Sequence, residues 1–109
     1  MNFLFFFEQF SNSNIMMNDI GFYFKDDNEE VEHFIGYMPE YKDGRHTVKN
    51  DKPYWAGLCD VPDGCEFSNA KELVEAKIYN GKSLQERWNE IVIFSIAGLS
   101  CEEWMNNFN

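Results

Sequence analysis

The sequence predicts a single α+β domain, with an antiparallel or mixed sheet of about four to five strands and two or three short helices packed on one face. Three observations lead there. Short aromatic or β-branched runs, at Ile20 to Phe24, Glu32 to Tyr37, Tyr54 to Cys59 and Ile91 to Ile96, are separated by turn-forming segments. Helix-capping signals stand at Asn69, Ser83 and Ser100. The resulting order, β-β-β-α-(β)-α-β-α, lacks the regular strand and helix alternation of a parallel sheet.

The chain opens on MNFLFFFEQF, whose ten residues include five Phe. The run is too short for a membrane helix, which needs about 20 apolar residues, and lacks the basic flank of an export signal. Polar Ser11 to Asn14 then precedes Met16 and Met17. Residues 1–16 therefore read as an N-terminal extension standing apart from a domain over 17–109. The alternative is a strand or helix that packs Phe3, Phe5, Phe6 and Phe10 onto that domain.

In Ile20 to Phe24, alternation puts Ile20, Phe22 and Phe24 on one side and Tyr23 on the other. The polar stretch KDDNEE turns the chain into an antiparallel partner over Glu32 to Tyr37. Met38 to Pro53 reads as a long loop or a ragged hairpin around Asp43-Gly44. Tyr54 to Cys59 is a third strand with Tyr54 and Trp55 on opposite faces, and Val61 to Gly64 is a turn with Pro62 preset for it. Asn69 caps a helix with Glu72 reaching back, and Ala70, Leu73 and Val74 form its apolar face. Ile78 and Tyr79 end at Asn80-Gly81, as a short strand or a tight turn. Ser83 to Glu86 is a capping box, expected to open a short helix with Leu84 and Trp88 one turn apart. Ile91 to Ile96 is almost continuously apolar, the pattern of a central strand covered on both faces. Gly98 then turns the chain. A second capping box at Ser100 to Glu103 precedes an apolar stripe of Cys101, Trp104, Met105 and Phe108.

Composition narrows the function. Hydrophobic content of 44% and aromatic content of 17% are those of a chain that folds on its own. Nine basic against 19 acidic residues give a net charge of −10, which repels nucleic-acid backbones and anionic membranes and favours a basic protein surface. Cys59, Cys65 and Cys101 are odd in number, with no framework spacing, so reduced thiols in a cytoplasmic protein are expected, the alternative being that Cys59 and Cys65, which flank a turn, pair under oxidation.

Two charge clusters and one strand end are candidate sites. Asp26, Asp27, Glu29, Glu30 and Glu32 form an acidic turn that departs from a calcium loop, because Val31 stands where the turn glycine belongs and Tyr37 where the closing Glu belongs. An acidic run of this kind is more often a solvated turn, and its functional reading is a partner-binding surface. Lys42, Arg45, Lys49 and Lys52 lie beside His46 in a basic loop without the glycine-rich turn of a phosphate site. Trp55 and Cys59 share a strand face and Asp60 follows, so Trp55, Cys59 and Asp60, with Arg45 and His46 closing over them, make an alternative ligand site. Cys59 with His33 or His46 as base can be written as a nucleophile, yet a cysteine ending an apolar strand is more often a small buried hydrophobe. No metal-ligand spacing links the Cys and His residues, and no cofactor is expected. Of the aromatic residues, Trp88 and Trp104 read as core. The leading expectation is a non-enzymatic inhibitor or immunity-type module that covers a basic partner, with nucleic-acid mimicry as a variant. A small-ligand binder or minor enzyme is the alternative.

Overall fold

The computed structural model describes residues 1–57 and 65–108. Alternation in the aromatic runs produces the sheet. β1 (Ile20–Phe24) pairs antiparallel with β2 (His33–Tyr37), with Ile20 opposite Ile35 and Phe22 opposite His33. β3 (Glu40–Asp43) and β4 (His46–Lys49) form a separate two-stranded hairpin that turns after Asp43, so of the two readings of this segment the hairpin holds, and it is regular rather than ragged. β5 (Tyr54–Gly57) pairs with β2, and the two-residue β6 (Glu66–Phe67) pairs with β5. Leu58, Cys59, Asp60 and the expected turn at Val61 to Gly64 lie outside the described residues.

β7 (Ile91–Ile96) pairs antiparallel with β1 and completes the order β6-β5-β2-β1-β7. It is therefore an edge strand, which corrects the central position its apolar run suggested. The run is apolar on both faces for a different reason. Ile91, Ile93 and Ile96 face the core, whereas Val92 and Phe94 join an aromatic layer on the opposite side. The ladder pairs Gly21 with Ser95 and Phe22 with Ile93, so Phe94 is the extra residue of a β-bulge and its ring is re-aimed across β1.

The helices sit on the face carrying Ile20, Phe22, Phe24, Ile35 and Ala56. α1 (Phe3–Phe10) begins where the Asn2 side chain accepts the Phe5 N–H at 2.8 Å, and it buries Phe6 and Phe10, one turn apart. The Phe6 ring lies 4.6 Å from Trp88 and 5.2 Å from Phe10, and Phe10 meets Tyr54 edge-on at 4.9 Å. The Tyr54 hydroxyl donates to the Phe10 carbonyl at 3.0 Å. The opening Phe run is thus threaded into the same core as the sheet. α2 (Ala70–Glu75) carries the expected Asn69 cap and buries Ala70, Leu73 and Val74. α3 (Cys101–Met105) carries the full capping box of Ser100 and Glu103 and buries Trp104.

One expected helix is corrected. At Ser83 to Glu86 both capping-box bonds form, at 3.0 and 3.1 Å, but no α-helix follows. The Arg87 N–H is shared between Ser83 O and Leu84 O, and three-residue bonds then follow, Trp88 N–H to Gln85 O and Glu90 N–H to Arg87 O, ending in a 3-10 turn at Trp88–Glu90. β7 starts at the next residue. Before it, Asn80 (φ +55°) and Gly81 (φ +80°) make the tight turn that bridges Tyr79 and Lys82.

The reduced-thiol expectation is also corrected, since Cys65 is disulfide-bonded while Cys101 is free. An odd cysteine count argues against a framework, but pairing is decided by which Cα atoms the fold brings within reach. No described helix is long and apolar enough to cross a membrane.

Candidate interaction surface

The acidic turn between β1 and β2 is built by one of its own carboxylates. Asp27 Oδ1 accepts the Glu29 N–H at 3.0 Å and Oδ2 accepts the Val31 N–H at 2.9 Å. These backbone donors, Val31 first, hold the Asp27 carboxyl below its ordinary pKa. Asp26 is also committed, with both of its oxygens on the Arg87 guanidinium at 3.0 and 3.1 Å. Arg87 is in turn anchored by Glu90 at 3.2 Å and lies 3.7 Å over the Phe24 ring, with only 11% of its side chain exposed. Two of the five acids therefore organise the turn. Glu29, Glu30 and Glu32 are exposed, and Glu30 takes a left-handed backbone with φ +49°. Among the described residues no group of three or more His, Cys, Asp and Glu side chains is arranged to hold a metal ion.

The second feature is the sheet face opposite the helices. Register places Tyr23, Phe34, Trp55 and Val92 on that face, with Gly21, Gly36 and Gly57 between them. Two of the glycines are there because rings lie against them. A Cβ at Gly21 would sit 2.6 Å from the Phe94 ring, and one at Gly36 would sit 2.6 Å from the Trp55 ring and 2.1 Å from the Asn18 carbonyl. Phe94 stacks on Tyr23 at 6.5 Å and meets Phe34 edge-on at 5.9 Å, which joins three strands in one ring layer. Tyr23, Phe34, Trp55, Val92 and Phe94 are all half-buried, and none belongs to the core the helices cover.

The predicted site residues fall in separate places. Trp55 is on the open face. Arg45 and His46 lie exposed on the β3–β4 hairpin, which leaves the sheet where Tyr37 pairs with Tyr54, the end opposite Gly57. Cys59 and Asp60, which follow Gly57 in the chain, lie outside the described residues. Lys42 is held within its hairpin by Thr47 Oγ1 at 2.8 Å. His33 faces inward, its ring 5.5 Å from Phe22 and 5.1 Å from Phe24. Sequence reading missed Tyr23, Phe34, Val92 and Phe94 as one surface. The signal was there in the glycines: Gly21 and Gly36 share strand parity with the aromatics rather than with the core residues.

Fold and surface together define an acidic α+β domain with an aromatic sheet face that its described helices leave bare. Compared with known proteins, the chain matches no family model, no curated protein and no solved structure.

Proposed function

We propose that the chain acts by binding another protein through a basic surface, as an inhibitor or immunity-type module that covers its target. The observation that carries this reading is the acidic turn. Asp27 fixes its backbone, Asp26 ties it to Arg87, and Glu29, Glu30 and Glu32 are exposed on it. A preformed turn needs no ordering on association, so its charges are available to speed the encounter and set the register of a cationic partner. The net charge of −10 works in the same direction at longer range. Mimicry of a nucleic-acid strand is the special case in which the covered surface normally holds phosphates.

The test is affinity capture from an extract of the native cell, at low and high salt, with the wild-type chain and with the triple variant Glu29→Lys, Glu30→Lys, Glu32→Lys. The expected result is one basic protein retained by the wild type at low salt, weakened by salt and lost on charge reversal. Capture that is indifferent to both salt and charge reversal overturns the reading. A salt-insensitive complex also removes the mimicry variant.

A further inference from the structure

Among the described residues, the open sheet face has carboxylates at its margin. Glu66 pairs directly with Trp55 across β5 and β6, so its exposed carboxylate stands on the same face at the outer edge. Glu32 is exposed and immediately precedes β2, two residues before Phe34 of this face. Lys25 has the parity of Tyr23, but its ammonium is turned to the Asn89 carbonyl at 3.1 Å. The result is an aromatic floor with Glu66 at one edge and Glu32 at the start of β2.

Such a surface suits one side chain above others. A guanidinium is planar, weakly hydrated and stacks on aromatic rings, and its fork pairs with carboxylates; an ammonium does the second but gains less from the first. We infer that the open face of the sheet, with Phe94 and Trp55 as its floor and Glu32 and Glu66 at its rim, docks an arginine-bearing segment of a basic protein. This rests on the proposed function and assigns it a surface: the exposed acids of the turn attract the partner, and the sheet face seats it. A second copy of the chain is disfavoured by its own charge, and so is a nucleic acid, whose bases would suit the rings but whose phosphates would meet the acidic rim.

The test uses the isotopically labelled full chain and blocked hexapeptides that alternate Leu with Arg, with Lys or with Glu, followed by backbone amide shifts. The expected result is that the Arg peptide moves the amides of Tyr23, Phe34, Trp55, Val92 and Phe94. It should bind about threefold to fivefold more tightly than the Lys peptide, and the Glu peptide should leave the spectrum unchanged. Val92→Lys should weaken the Arg peptide about tenfold, with its dispersed spectrum confirming the fold. The double variant Glu32→Gln, Glu66→Gln disturbs no buried group and should weaken it about threefold. Shifts confined to residues 29–32, or equal affinity for Arg and Lys peptides, overturn the assignment of the face while the proposed function stands. Absence of binding by both cationic peptides also overturns it, and the capture experiment then decides the fate of the function separately. Face amides that shift on concentrating the chain alone assign the surface to a second copy instead.

Discussion

At Gly21 and Gly36 the absence of a side chain lets a ring lie on the backbone, and the two sites differ in what a methyl group would strike. At Gly21 it meets the rim of the Phe94 ring and the Ser95 hydroxyl, which are ends of side chains on a half-buried surface. At Gly36 it meets the Asn18 carbonyl at 2.1 Å, and backbone does not swing aside. Gly21→Ala should therefore cost about 1 kcal/mol and Gly36→Ala about 3 kcal/mol or more, since overpacking is felt in proportion to how little the neighbour can yield. Urea denaturation of the two variants checks the order, and equal costs would mean that the ring layer is as rigid as the backbone. A second residue-scale effect is electrostatic. Glu86 accepts from Lys77 and from the Ser83 N–H, which hold its carboxyl down from an ordinary 4.5 to about 2, the Lys77 bond contributing most. A carboxylate with a depressed pKa in the fold stabilises it above the unfolded-state value and loses that contribution as pH falls through the folded one. The melting temperatures of wild type and Glu86→Gln should thus differ at pH 6, converge between about pH 4.5 and 2, and coincide below that. Parallel curves across that range would show that Glu86 acts through packing alone. The capping box around Glu86 was legible in the sequence, but its ion pair with Lys77 was not, because it depends on how the intervening turn brings residues nine apart together.

At the scale of elements, what was legible follows the reach of each signal. The caps at Asn69 and Ser100 act within three residues, and both formed as their spacing required. The hairpin of β1 and β2 is similarly local. β7 was misplaced because a continuous apolar run reports only that both faces are covered, not whether the cover is a neighbouring layer or the strand's own aromatic side chains. Where the opening Phe run would pack depended on contacts more than 40 residues away, such as Tyr54 with Phe10 and Trp88 with Phe6, and no short window holds those. The structure makes α1 answerable to experiment. Phe6 is fully buried against Trp88 and Phe10, so Phe6→Ala should lose about 3 to 5 kcal/mol, a large part of the roughly 5 to 15 kcal/mol that holds a domain folded. Leu4, on the same helix, is 65% exposed, and Leu4→Ala should change stability by less than about 0.5 kcal/mol. Thermal melts of the pair distinguish a helix packed into the core from one that merely lies near it, for which both substitutions would be silent.

At the scale of the whole molecule the dominant fact is charge. Nineteen acids against nine bases leave a net charge of −10, while the described ion pairs are few and mostly exposed: Lys71 with Glu75, Lys77 with Glu86, and Arg87 with Asp26 and Glu90. Exposed pairs contribute little to stability and are weakened by salt, whereas the self-repulsion of an acidic surface opposes folding and is relieved by salt. Repulsion should win here, since most of the described acids have no basic partner to lose. Raising NaCl from about 10 mM, where the screening length is about 30 Å, to about 150 mM, where it is about 8 Å, should therefore raise the melting temperature. The same change should weaken a complex with a basic protein, because there the attraction is what salt screens. The two responses have opposite signs, so they can be read from one salt series on the free and the bound chain. A melting temperature that falls as salt rises would place the balance in the Arg87 network instead, and Arg87→Gln would then have to abolish the salt dependence.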